Sequence, residues 1–126
     1  MAKETRAELW IGADHQFIFT ILNDDEDAAV DITGWALSWM VKRHARDADA
    51  SKLLQMTTAL GTIVISGTYA AAPEANTQVA TVTVADTDTD AIAPGLYQYE
   101  LKRTDATLEA PLAYGAILFR QGVHRT

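Results

Sequence analysis

The chain has no cysteine, and that absence excludes disulfide frameworks, thiolate zinc sites and thiol nucleophiles, leaving stability to packing alone. Basic residues are also in deficit: ten Lys and Arg stand against seventeen Asp and Glu, a formal charge of -7, the wrong sign for a protein that grips phosphate backbones. Nucleic acid is therefore not an expected partner. The seven glycines are scattered at positions 12, 34, 61, 67, 95, 115 and 122, with no cluster that could cradle a phosphate. No long hydrophobic run exists either. Residues 28–41 come nearest and are interrupted by Asp31, Thr33, Gly34 and Ser38, so no membrane span is expected. Charges at positions 3, 4, 6 and 8 stand where a secretory signal needs an apolar stretch, so export by that route is not expected and the protein reads as made soluble in a cytoplasm.

What is present is alternation. With 48% hydrophobic and 21% charged residues, 126 residues are enough to bury one core in a single domain. Aromatic and β-branched residues recur with period two, and no window carries a long stripe at helical spacing, so the chain reads as all-β. QFIFTIL places Phe17, Phe19 and Ile21 on one face; WALSWMVKR places Trp35, Leu37, Trp39 and Val41 on one face, the expected core side. Both tryptophans of that strand bring an indole N–H that needs a partner when buried. SKLLQMTT and GTIVISG read as two short strands joined through Ala59, Leu60 and Gly61. QVATVTVAD, GLYQYELKRT and LAYGAILFRQ complete the set, with Gly115 marking a bulge or a close backbone approach. About seven strands at intervals of roughly ten residues predict an antiparallel sandwich.

The stretch DTDTDAIAPGLYQYEL is the sharpest candidate for chemistry. Asp86, Asp88 and Asp90 match the first three ligand positions of a calcium loop, but Ala91 stands where glycine is needed and Tyr97 where the bidentate glutamate belongs. The competing reading is a turn in which Asp and Thr oxygens hold backbone N–H groups before Pro94 and Gly95 pass the chain into a strand. That reading is preferred. The acidic run NDDED at residues 23–27 reads in the same way as a solvated hairpin tip. His15, His44 and His124 share no zinc spacing, and Ser38, Ser51 and Ser66 lack a nucleophile-elbow pattern. No catalytic residue, metal ligand or cofactor is expected, and the chain is not read as an enzyme.

In order, GADHQFIFTI, VDITGWALSWMVKR, GTIVISG, VTVADTDTDAIAPGLYQYELKR and LAYGAILFR resemble a group of small bacteriophage virion proteins with an immunoglobulin-like β-sandwich, a fold similar to the N-terminal domain of baseplate upper proteins. The resemblance runs from Gly12 to Arg120. It implies a non-enzymatic tail, baseplate or neck adaptor, or a head decoration, whose partners are other virion proteins and copies of itself. The virion is then the expected location, after synthesis in the bacterial cytoplasm. The sequence stops after the sandwich with no fibre-forming extension, which favours an adaptor or decorating subunit over a receptor-binding one. A carbohydrate- or calcium-binding adhesion module is the alternative.

Residues 1–12 read as an N-terminal arm or extra strand ahead of a sandwich over residues 13–126. Leu9, Trp10 and Ile11 within it are the expected partner contact, through strand pairing or an aromatic anchor. Of the three tryptophans Trp10 is the freest to meet a ligand, since Trp35 and Trp39 share a strand face. The C-terminal GVHRT is a second candidate contact strip.

Overall fold

Alternating aromatic and β-branched residues build nine strands in the computed structural model, which describes residues 3–122. In chain order they are β1 (Lys3–Glu4), β2 (Ala7–Ile11), β3 (His15–Phe19), β4 (Leu37–Lys42), β5 (Leu54–Thr57), β6 (Ile63–Ser66), β7 (Val79–Val84), β8 (Gly95–Arg103) and β9 (Ala110–Gln121). A four-residue helix, α1 (Asp86–Thr89), links β7 to β8.

The strands form two sheets. The large one has the order β1-β9-β8-β4-β5, with β2 also on β9; the small one has the order β3-β7-β6. Their inward positions, among them Trp39, Phe119, Leu101, Ile117 and Val82, form one buried layer between the sheets. With β4, β8 and β9 as strands C, F and G, and β3, β7 and β6 as B, E and D, the arrangement is an immunoglobulin-like sandwich.

All seven expected strands are present. The arm adds two more, and because β1 and β2 run parallel to β9 the large sheet is mixed rather than purely antiparallel. Lys3–Glu4 and Ala7–Ile11 thus pair as strands within their own chain. The arm holds one register along β9, from Lys3 opposite Ala113 to Ile11 opposite Gln121, interrupted between β1 and β2 where Thr5 crosses Gly115. A Cβ at position 115 would collide with the Thr5 carbonyl, so the crossing requires glycine there. Tyr99, opposite Gly115, donates its hydroxyl to that same Thr5 carbonyl at 2.6 Å. Gly115 is therefore the close approach. The register shift lies nearby, between Leu101 opposite Ala113 and Lys102 opposite Pro111, and it turns both Leu112 and Ala113 inward.

Strands β5 and β6 do not pair with each other. A turn closed by the Gly61 N–H on the Thr58 carbonyl at 3.1 Å carries the chain from the large sheet to the small one. Trp39 is buried on the core side as expected, against Phe17 at 5.4 Å and Tyr99 at 6.2 Å between ring centres, but its indole N–H has no hydrogen-bond partner among the described residues. Trp35 stays half-buried beneath the Arg103 guanidinium, 3.9 Å from its ring centre.

Candidate functional site: the outer face of the large sheet

The polar motifs turn out to be fasteners. In DTDTD, the Asp88 carboxylate accepts the Ala85 N–H at 2.8 Å, Asp86 accepts the Thr87 N–H at 2.8 Å, and Asp14, from the loop before β3, accepts the Asp86 N–H at 2.8 Å. Thr89 is fully buried and its hydroxyl accepts the Gly12 N–H at 2.9 Å. Tyr97 then donates back to the Ala93 carbonyl at 2.6 Å, the tyrosine corner expected where strand E passes to strand F in this fold. The segment is a corner with one helical turn inside it.

In VDITG, a turn closed by the Trp35 N–H on the Ile32 carbonyl at 3.0 Å needs Gly34 at its left-handed position, φ 77°. Buried Gln78 reaches across from the small sheet, accepting the Ile32 N–H at 3.0 Å and donating to Thr33 Oγ1 at 2.9 Å and Asp31 Oδ1 at 3.2 Å. The Thr33 hydroxyl, then its N–H and the Gln78 amide, hold the Asp31 carboxyl below its ordinary range. At the far end of β8, the Arg103 guanidinium and the Ala36 N–H do the same for Asp105. In the acidic hairpin, Asn23 accepts the N–H groups of Asp27 and Ala28, and Glu26 takes the left-handed position at φ 59°.

Among the described residues, no group of three or more His, Cys, Asp and Glu side chains could hold a metal ion. Ser38 is hydrogen-bonded to Gln55, and none of Ser38, Ser51 and Ser66 meets a described histidine. His15 accepts the Trp10 N–H at Nε2, 3.0 Å away. His124 and the last residues of GVHRT lie outside the described residues.

The outward positions of the large sheet form the more informative surface. Ladder register aligns Gln55, Met40, Glu100 and Tyr114 in one row across β5, β4, β8 and β9. This row floors a cleft of about 520 Å³, also lined by Ser38, Lys42 and Lys102. Each of those lysines has an acidic partner: Lys42 meets Asp49 at 2.6 Å, holding the Asp49 carboxyl below its ordinary range, and Lys102 meets Glu109 at 3.5 Å. Glu100 is the lining charge without an ion-pair partner among the described residues. The cleft therefore offers a carboxylate, amides and a phenol rather than a free cation.

Towards the other end of the same face, register sets Leu118 beside Leu96, and Arg120 beside Trp10. Trp10 is 44% exposed and Leu96 55%. Arg120 lies over the Trp10 ring at 5.7 Å and pairs with Glu8 at 3.0 Å. An exposed apolar strip next to a cleft is an arrangement suited to docking.

Of the three expected contact residues, the structure brings only Trp10 to this surface. Leu9 points inward and is fully buried, and Ile11 is partly buried against the core. Alternation explains the split, since neighbours on one strand face opposite sides. Leu96 and Leu118 join Trp10 through ladder register alone, and no local sequence pattern ties them to it. Among the described residues no helix is long and apolar enough to cross a membrane. Comparison with models of known protein families finds no match, and no curated protein matches the chain.

Proposed function

We propose that the chain is a non-enzymatic structural protein of a bacteriophage particle, an adaptor or decorating subunit that docks on a neighbouring virion protein through the outer face of the large sheet. The observation that carries this reading is the pair of exposed apolar side chains Trp10 and Leu96, with half-buried Leu118 on the strand between them, on a face whose cleft holds Glu100, a charge without an ion-pair partner among the described residues. An exposed tryptophan with an arginine over its ring has the residue types enriched in binding hot spots. The unneutralised carboxylate, on a chain of net charge -7, selects a basic partner surface. The polar motifs support the same reading, because their oxygens are engaged in holding loops to strands. The phage context itself rests on the order of motifs from Gly12 to Arg120.

The test is incorporation. Particles assembled with the wild-type chain should contain it in a copy number that matches head or tail symmetry, whereas particles assembled with the Trp10→Ala, Leu96→Asp chain should lack it, at equal soluble expression. Normal incorporation of that variant removes the docking face; absence of the wild-type chain from purified particles removes the virion reading.

One observation favours a second reading. Tyr114 is 42% exposed beside Glu100 in a cleft that also contains the Gln55 and Gln98 amides, a lining that also suits a carbohydrate ring. Glycan binding that is lost in Tyr114→Ala would move the function to an adhesion module. The calcium form of that alternative has no comparable support, since Asp14, Asp86 and Asp88 already accept backbone N–H groups.

A further inference from the structure

The two faces of the sandwich differ in charge. The large sheet's outer face carries Glu8, Lys42, Glu100, Lys102 and Arg120. In the small sheet, ladder register places Ile18, Thr81 and Val64 in a central row, with Gln16 beside Thr83 on one side and Val79 beside Ser66 on the other. None of these outward positions is charged, in a chain where 21% of residues are. Ile18 is 64% exposed and Val64 53%. The row is bounded by β3 and β6, edge strands of this sheet among the described residues, whose sequences HQFIF and IVIS contain no Lys, Asp, Glu or Pro, the residues that usually keep an edge from pairing.

We infer that this uncharged face is a self-association surface, covered by the small sheet of a second copy of the chain. Charge decides the occupant. A basic partner gains nothing from a face without carboxylates and is drawn to the acidic surface elsewhere. A second copy also carries -7 and is repelled wherever acidic surfaces meet, so an uncharged patch suits it best. Face-to-face packing about a two-fold axis along β7 sets Thr81 on Thr81 and Ile18 on the second copy's Val64, which buries the two exposed apolar side chains of the row against each other.

The contact is small. Three strands about 4.8 Å apart, with outward positions about 6.8 Å apart, give a footprint of roughly 300 Å² per copy, against about 800 Å² for a stable interface. Association is therefore weak and reversible for free chains, and becomes effective where many copies are held together.

Sedimentation velocity on the purified full chain tests this, from about 20 μM to about 1 mM, at about 50 mM and about 500 mM NaCl. The expected result is a sedimentation coefficient that rises with concentration, and rises more at high salt because screening removes the repulsion between like-charged copies. Ile18→Lys and Val64→Lys, both at exposed edge positions, should each raise the dissociation constant at least tenfold with unchanged circular dichroism. Glu100→Gln, on the opposite face, should leave it unchanged. A wild-type chain that stays monomeric throughout overturns the inference, as does association that persists in both lysine variants. The inference names one partner of the assembly proposed above but uses the other face and the isolated chain, so particle incorporation and self-association can fail independently.

Discussion

Truncating Leu9 to alanine should destabilise the protein strongly, while the same change at its neighbour Trp10 should not. Leu9 is fully buried, at the centre of the β2 ladder opposite Phe119. The substitution removes three carbon atoms, worth about 0.8 kcal/mol each in lost transfer free energy, and the cavity left behind brings the total to about 3–4 kcal/mol. For a domain of this size that lowers the melting temperature by about 10–15 °C. Trp10, by contrast, faces solvent on one side and should lose no more than about 1 kcal/mol as alanine, chiefly its contact with Arg120. Differential scanning calorimetry of the two variants beside the wild type decides the matter. A melting temperature within about 2 °C of wild type for Leu9→Ala would show that the arm is detachable and that its burial contributes little. For the same reason, deleting the residues up to Trp10 should impair folding as well as assembly, and point substitutions are the way to separate the two.

Two further outcomes follow from the hydrogen-bonded loops. Tyr97→Phe removes the donor to the Ala93 carbonyl from a nearly buried ring, and urea unfolding should give a loss of about 1–2 kcal/mol; an unchanged midpoint would mean that the corner is held by packing alone. Asp31, Asp49 and Asp105 are each held below the ordinary aspartate range, so the unfolded chain takes up protons before the folded one does. Their contribution should be complete above about pH 4 and fall as the pH drops through the lower folded values, with Asp105→Asn flattening part of this acid limb; melting temperatures that do not change between about pH 5 and pH 2.5 would refute it.

The strands were legible because alternation directly reports which side chains turn inward. In QFIFTIL the alternate positions Phe17 and Phe19 pack on the core, and in QVATVTVAD one of the two alternating sets, Ala80, Val82 and Val84, is buried there. Alternation says nothing of which strand lies alongside, so the assignment of β5 and β6 to different sheets, and the parallel pairing of β2, could not be read from it. Leu9, Trp10 and Ile11 form a consecutive apolar run with no polar residue among them to mark the inward side, so the sequence offers all three alike as a contact. The turn in VDITG has a local signal in Asp31 and Gly34, but its anchor, Gln78, lies 47 residues from Asp31 and reads locally as an ordinary polar residue before a strand. The corner at Tyr97 had a signal in the tyrosine two residues after Pro94-Gly95, at the start of a strand. The docking strip had none, because residues from both ends of the chain meet Leu96 only through the ladder.

The parallel run of the N-terminal strands on β9 also decides how the fold carries force. Tension applied to Lys3 and Gln121 in opposite directions acts along the two strands, so the ladder from Lys3 opposite Ala113 to Ile11 opposite Gln121 is sheared with its bonds loaded together. An antiparallel terminal pair pulled from its open end would unzip one bond at a time. Resistance to pulling is set by the unfolding rate and can be high in a domain of modest equilibrium stability. The Tyr99 hydroxyl on the Thr5 carbonyl adds a tie at the one point where this ladder is interrupted. A load applied between Lys3 and Gln121 is thus met by a ladder in shear.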